Sequence, residues 1–378
     1  MKRPPSAGGE LDRLLLRAAL APELPDLPAR ETWAELSEAL APPKALQRLE
    51  GERQALLGLL HRSAVSAQAD DALAGIVRGG HRRTWAANSL RLDGLRRAAE
   101  QLTAACVEYL LADELAVVAI LGDLGARPLE RLRLVISPGA RDRAASAMRE
   151  AGWTPRTPAP GTFLTDPDAT VWRAPGGQAL ELAWSLGRDL RLTEDEELRA
   201  DSIPTEGGLL PGERRLADVH LLVRLAAAPA WAGAPRPSLL AVAELALVAS
   251  RAGDQIWSAL ALEARRRGVL ATAGARLRHL AQLVPEAVPA AWLSTLERSP
   301  APPRERMTHQ VALFSPALAR YLRDTRAGPT GAPARRLASS LQESWGLETA
   351  RDIPRAAVRH ASARLREGLG GVSRAGGS

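Results

Sequence analysis

The sequence predicts an α+β protein, mostly α, with a small mixed sheet core flanked by N-terminal and C-terminal helical regions. Three observations carry this. Apolar residues recur at helical spacing from residue 10 to about 112. From Glu114 to about 208 the pattern shifts to short apolar runs separated by Pro/Gly turns. Helical spacing then returns from Gly212 onward. The expected parts are an N-terminal helical region (1–112), a sheet core (113–208), a helical domain (209–298), a basic C-terminal helical segment (299–369) and a disordered tail (370–378).

Leu11, Leu14, Leu15 and Ala18 define a first helix, and the proline-bounded stretch 22–28 breaks it. A second helix is expected over 43–61. A long one is expected over 83–112, with Leu92, Leu95, Ala99, Leu102 and Cys106 as its apolar stripe. The run Leu-Ala-Val-Val-Ala-Ile-Leu at 115–121, rich in β-branched residues and ending at Gly122, reads as a buried strand. A second strand is expected over 132–136, closed by Ser137-Pro138-Gly139, and a helix over 140–151 with Gly152 as its stop. Shorter strands are expected at 162–164, 171–173 and 180–184. Five helices follow, over 216–228, 238–251, 255–267, 271–283 and 289–297, with further helices near 316–326, 332–344 and 354–368.

Composition narrows the function classes. With 46% apolar and 25% charged residues, the 378-residue chain can build a packed core, so wholesale disorder is excluded. The single cysteine, Cys106, excludes an internal disulfide framework and a cysteine-rich zinc site. No apolar run reaches the roughly 18 residues of a membrane span, and the first residues lack an apolar signal core. A cytoplasmic location is expected. Among the 50 basic residues only Lys2 and Lys44 are lysine. The net charge of +7 resides in residues 299–378, which hold 13 Arg against 6 acids. Such a segment attracts nucleic acid or another acidic partner, although a solvated helical face explains it as well. Six scattered histidines offer no metal-ligand spacing, and a Gly-x-Ser-x-Gly nucleophile signature is absent.

The stretch 117–152 contains Leu121-Gly122, Arg127-Pro128, a strand with Arg131 and Arg133, and a helix leaving through Gly152-Trp153. In order and spacing it resembles the core of bacterial nucleotidyltransferases of the polymerase-β type. These show a strand ending in Lys-Gly, then Arg-Pro, then a strand bearing Asp-x-Asp, then a helix ending in Gly-Trp or Gly-Tyr. Downstream, Glu181-Leu182-Ala183-Trp184 is similar to the family's acid-Leu-His-Trp strand. The helices at 218–231 and 239–248, and Trp345-Gly346-Leu347 before an Arg-rich helix, fit its second half.

The departures decide what the resemblance implies. Carboxylates at i and i+2 of a strand share a face. With a third acid, for which Glu181 is the natural candidate, they hold two divalent ions that activate the attacking oxygen and neutralise a triphosphate. Here those positions carry Arg131 and Arg133, whose guanidinium groups stay protonated and offer no lone pair to a metal. Leu121 also replaces the lysine. Alternation places Leu132, Leu134 and Ile136 on a buried face, and Arg131, Arg133 and Val135 on one open to a cleft. Arg131 and Arg133 either pair with Glu130, Asp123 or Glu181, or form a metal-free site for phosphate or carboxylate. Gly122 is a turn residue or part of a phosphate cradle. Arg127 braces the cleft or contacts phosphate.

The expected function is therefore a catalytically degenerate nucleotidyltransferase-fold protein, a binding or scaffolding module with a protein partner and no cofactor. Gly122, Arg127, Arg131 and Arg133 are its candidate nucleotide- or anion-binding residues. The alternative is an active enzyme with an altered metal site around Glu181 and Asp123, requiring Mg²⁺ with a nucleoside triphosphate. A third reading is nucleic-acid binding through the basic C-terminal segment.

Overall fold

The computed structural model describes residues 7–40, 49–156, 169–186, 195–205, 208–227, 238–298, 300–303, 305, 306 and 309. The chain divides into two compact units. One holds residues 1–157, 166–227 and 238–300, and the other 158–165, 228–237 and 301–378. Of the second, only 301–303, 305, 306 and 309 are described. The expected strand at 162–164, Trp231, the Trp345-Gly346-Leu347 motif, the helices beyond 310 and the tail lie outside the described residues.

The first unit is α+β and mostly helical. It opens with α1 (Ala7–Leu20), α2 (Ala29–Ala39), a 3₁₀ turn (Gly51–Leu56), α3 (Leu57–Ala67) and the long α4 (Ala72–Ala104). Leu15, Leu16, Leu36, Leu59, Leu60, Leu92, Leu95 and Leu102 are almost wholly buried among them. α4 begins eleven residues before the expected start of 83. The reason is Asp71, whose side chain caps the Ala74 N–H at 2.7 Å while accepting from Trp33 Nε1 and the Ser37 hydroxyl, both at 2.9 Å.

Gly58 on α3 has no room for a side chain against the backbone of residues 125–126, where a Cβ would lie 2.5 Å from the Ala126 carbonyl oxygen and closer still to that of Gly125. Both obstacles are backbone. Gly58→Ala is therefore expected to destabilise by about 2–3 kcal/mol, against the usual gain of alanine in a helix. Urea unfolding measures it, and a stabilised variant would contradict the packing.

Two expectations are corrected between residues 104 and 122. The long helix stops at Ala104 rather than 112, and Cys106, with φ +53°, is exposed rather than in its apolar stripe. Tyr109–Leu111 then forms β1. The apolar run at 115–121 is not a strand but α5 (Glu114–Leu121), closed by Gly122 at φ +64°, whose N–H reaches the Val118 carbonyl at 3.0 Å. A short run that is apolar at every position buries itself equally well as strand or helix, so periodicity cannot separate the two. Leu115, Ala116, Val117, Val118, Ala119 and Leu121 are all buried.

The remaining elements include those expected and four that were not, the short strands at 154–155, 203–204 and 214–215 and the helix at 195–200. In chain order the elements are β2 (Arg133–Ile136), α6 (Arg141–Glu150), β3 (Thr154–Pro155), β4 (Ala169–Arg173), β5 (Ala179–Ala183), α7 (Asp195–Ala200), β6 (Ile203–Pro204) and β7 (Arg214–Arg215). Then come α8 (Asp218–Ala227), α9 (Leu239–Ser250), α10 (Asp254–Arg266), α11 (Leu270–Leu283) and α12 (Ala290–Arg298). The described strands form one seven-stranded sheet in the order β3-β4-β5-β2-β1-β7-β6. β2 is central, antiparallel to β1 and parallel to β5, with Arg133 opposite Glu181 and Leu134 opposite Leu182. α8 packs against α9, α10 and α11, and α1 reaches across to α9.

Candidate functional site

The site is built where the ends of β1, β2 and β5 meet the N-termini of α5 and the face of α8. β1 ends at Leu111, and the chain turns into α5 through Asp113, at φ 50° and ψ −114°. That conformation is costly for a residue with a side chain. The Asp113 carboxylate takes two donations from Arg224 on α8, from Nε at 2.7 Å and from Nη2 at 2.9 Å. Arg224 also donates to the Leu186 carbonyl.

Arg133, opening β2, points to the same place. Its Nη1 lies 3.5 Å from Glu181 Oε1 and 4.0 Å from Asp113 Oδ2, and its Nη2 donates to the Ser185 carbonyl at 3.1 Å. Arg131 reaches Glu181 Oε2 at 3.3 Å from the solvent side, with 71% of its side chain exposed against 12% for Arg133 and 11% for Glu181. One guanidinium nitrogen of Arg133 thus stands between two carboxylates, in the place of a bound cation. Three guanidinium groups face two carboxylates, leaving one positive charge over.

The face carrying Arg133 is not open along its length, as alternation predicted. Val135 is fully buried, and Arg133 is covered by the Ser185–Leu186 segment and Arg224. Only Arg131 keeps a solvent-facing guanidinium in this network.

Burial alone would raise the Asp113 carboxyl, but Arg224 and then Arg133 outweigh it and hold the group below its ordinary 3.8. A depressed carboxyl stabilises the fold above the unfolded value and loses that contribution as pH falls through the folded one. Below about pH 4 the native protein should therefore lose stability faster than Asp113→Asn. Melting temperature against pH checks this, and parallel curves would contradict it.

A second network braces the loop between α5 and β2. Glu114 accepts from the Glu130 and Arg131 N–H groups at 2.6 and 2.9 Å, and from Arg127 Nη1 at 2.9 Å. Arg127 also binds Glu244 on α9 through Nε and the Pro128 carbonyl through Nη1 at 2.7 Å. With 5% exposure and its donors spent on two carboxylates, Arg127 is a brace rather than an anion contact. Burial first, and the neighbouring Glu114 and Asp113, push the Glu244 carboxyl up against the pull of Arg127. Asn88, wholly buried on α4, ties the same loop. Its Nδ2 donates to the Leu124 and Arg127 carbonyls, both at 2.7 Å, and its Oδ1 accepts from the Leu129 N–H at 3.0 Å.

Of the residues expected from sequence, the structure brings together Arg131, Arg133 and Glu181. Asp123 belongs to another group: its carboxylate meets His81 Nε2 at 2.9 and 3.0 Å and the Gly125 N–H at 2.8 Å. Glu130 contributes its backbone N–H, and Gly122 is a helix-ending turn residue. Sequence reasoning missed Asp113, Glu114, Asn88, Arg224 and Glu244. A signal existed for Glu244, a lone charge in an otherwise apolar helix, which requires a buried partner.

The donor set does not fit a divalent metal. Both carboxylates that face the β2–β5 register are engaged by guanidinium groups, and Arg133 takes the position between them. Among the described residues no group of three or more His, Cys, Asp or Glu is placed to hold a metal ion. No described helix is long and apolar enough to cross a membrane. In comparisons with family models, with curated proteins and with solved structures, nothing matches the chain.

Proposed function

We propose that the chain is a non-catalytic protein of nucleotidyltransferase type, in which an internal guanidinium replaces the metals and the fold serves as a binding or scaffolding module. The observation that carries this reading is Arg133 Nη1, held between Asp113 and Glu181 on the strand that the resemblance equips with metal-binding acids. On this reading the strand-end pair of the family pattern corresponds to Ala112-Asp113 rather than Leu121-Gly122, since β1 ends at Leu111 and 115–121 is helical. Asp113 has the positive φ that favours glycine, which suits that position.

The network also explains how such a module binds without a metal. Its surplus positive charge and the exposed guanidinium of Arg131 form an outer rim able to take a phosphate or carboxylate. Arg133 underneath supplies field rather than direct contact, being shielded by its own carboxylates.

The active-enzyme alternative requires Glu181 and Asp123 to share a metal. Their separate partners, the arginine pair and His81, speak against it. The test is incubation of the full chain with each nucleoside triphosphate and Mg²⁺ or Mn²⁺, reading pyrophosphate release and labelled product. The expected result is no turnover, with any nucleotide-induced stabilisation surviving EDTA and lost in Arg131→Gln. Metal-dependent turnover abolished by Glu181→Gln would overturn the proposal.

A further inference from the structure

On the sheet face opposite Arg133 and Glu181 lies a cleft of about 200 Å³, whose described lining comes from β2, β3, β4, β5 and α6. Ile136 and Leu182 alternate with Arg133 and Glu181 along their strands, which places the two sites on different faces. The cleft has an apolar floor from Ile136 and Leu182, and two exposed arginines of α6 at its rim.

Each arginine is held in an unusual way. The Arg141 guanidinium lies 4.3 Å from the ring centre of Trp184, and that of Arg149 lies 5.8 Å from Trp172. A guanidinium resting on an indole face has its flat side occupied and its charge retained, while its N–H edges remain available to an acceptor. Among the described residues neither arginine has an ion-pair or hydrogen-bond partner, unlike Arg127, Arg133 and Arg224. Eight residues apart on one helix, they stand about 12 Å from each other along its axis. Among the described lining residues the only acid is Asp142. Trp172, 3% exposed in the wall, also keeps a buried indole N–H without an acceptor.

We infer that this cleft is a binding site for a small organic phosphate, a monoester whose apolar or planar body lies over Ile136 and Leu182 and whose phosphate is taken by the indole-backed guanidinium of Arg149, with Arg141 adding its charge from farther along the helix. The reasoning is independent of the nucleotidyltransferase reading, because no residue is shared with the Arg133 network. Size limits the ligand. The volume falls below the roughly 300–1,000 Å³ of sites for drug-sized molecules, so one ring and one phosphate fit and a dinucleotide does not. Charge limits it too: with Asp142 beside two arginines, one net positive charge faces the ligand. The same carboxylate can accept from a hydroxyl or N–H on the body.

The experiment uses the full chain with isotope-labelled tryptophan and phenyl phosphate as probe. The Trp184 and Trp172 indole signals are identified through Trp184→Phe and Trp172→Phe. Saturable shifts of these signals are expected. Affinity should fall about tenfold or more in Arg149→Gln, as expected for loss of a charge-assisted bond, and by less in Arg141→Gln. It should be unchanged in Arg131→Gln, which reports on the other face. Inorganic phosphate should bind more weakly than phenyl phosphate, because it leaves the floor uncovered. Both arginines are exposed, so the variants keep the fold, which the unshifted remaining tryptophan signals verify. Absence of saturable shifts, or equal affinity in the Arg141→Gln/Arg149→Gln double variant, would overturn the inference. So would equal binding of phenyl and inorganic phosphate.

Discussion

Asn88→Ala is expected to lower the unfolding free energy by about 4 kcal/mol, a loss few single substitutions reach. One amide satisfies three backbone groups of the loop 124–129: two carbonyls and an N–H. Removing it strands all three in a place where water does not enter, each at about 1–3 kcal/mol before relaxation. The loop also positions Arg127 and leads into β2, so the damage should reach the Arg133 network. Asn88→Asp separates hydrogen bonding from volume. Its carboxylate still accepts from Leu129 but faces two carbonyl oxygens with no proton to give. That variant should be as unstable as Asn88→Ala at neutral pH and recover part of the loss on acidification, when its carboxyl gains a proton to donate. Chemical denaturation at two pH values reads both effects. A cost below about 1 kcal/mol for Asn88→Ala would contradict the assigned role.

Arg133→Ala should cost about 3 kcal/mol, near the lower end of the range for breaking a buried pair. Both carboxylates it serves keep a second partner, Arg224 for Asp113 and Arg131 for Glu181, which softens the loss. The neighbouring Arg131→Ala should cost less than about 1 kcal/mol, because its side chain is largely in water. Two arginines separated by one residue on the same edge should thus differ severalfold in denaturation experiments. Equal costs would mean that the position of Arg133 between the carboxylates carries no special energy.

What was legible in the sequence followed from periodicity with a solvent-facing side. The helices from α10 onward have apolar stripes, α8 and α9 are buried nearly all round but are long enough and bounded by Pro/Gly joints, and all their bounds fall within a few residues of expectation. β2, β4 and β5 were legible as short apolar or alternating runs separated by Pro/Gly turns. The failures lie where burial is complete. α5 is apolar on every side and therefore carries no period, and β1 is a three-residue strand hidden behind the end of α4. The site was half legible for the same reason. Arg131, Arg133 and Glu181 were found because strand alternation places them on one face. Asp113 was missed because its role depends on β1 ending two residues before it. Arg224 and Glu244 were missed because their partners are more than a hundred residues away in sequence. Asn88 looks like any polar residue of a long helix until the loop it serves is seen to pack there.

The central claim is that Arg133 is the built-in counter-ion of Asp113 and Glu181, and the most direct measurement is thermal stability with Mg²⁺ or Mn²⁺ in the native chain and in Arg133→Asp. In the native chain neither ion should change the melting temperature. In Arg133→Asp the buried cation is replaced by a third carboxylate, so the variant should be destabilised without metal and recover with added ion. A site filled at about 100 times its Kd regains roughly 2.7 kcal/mol. Stabilisation of the native chain by Mg²⁺, lost in Glu181→Gln, would contradict the account, because the two carboxylates would then accept a metal with Arg133 in place.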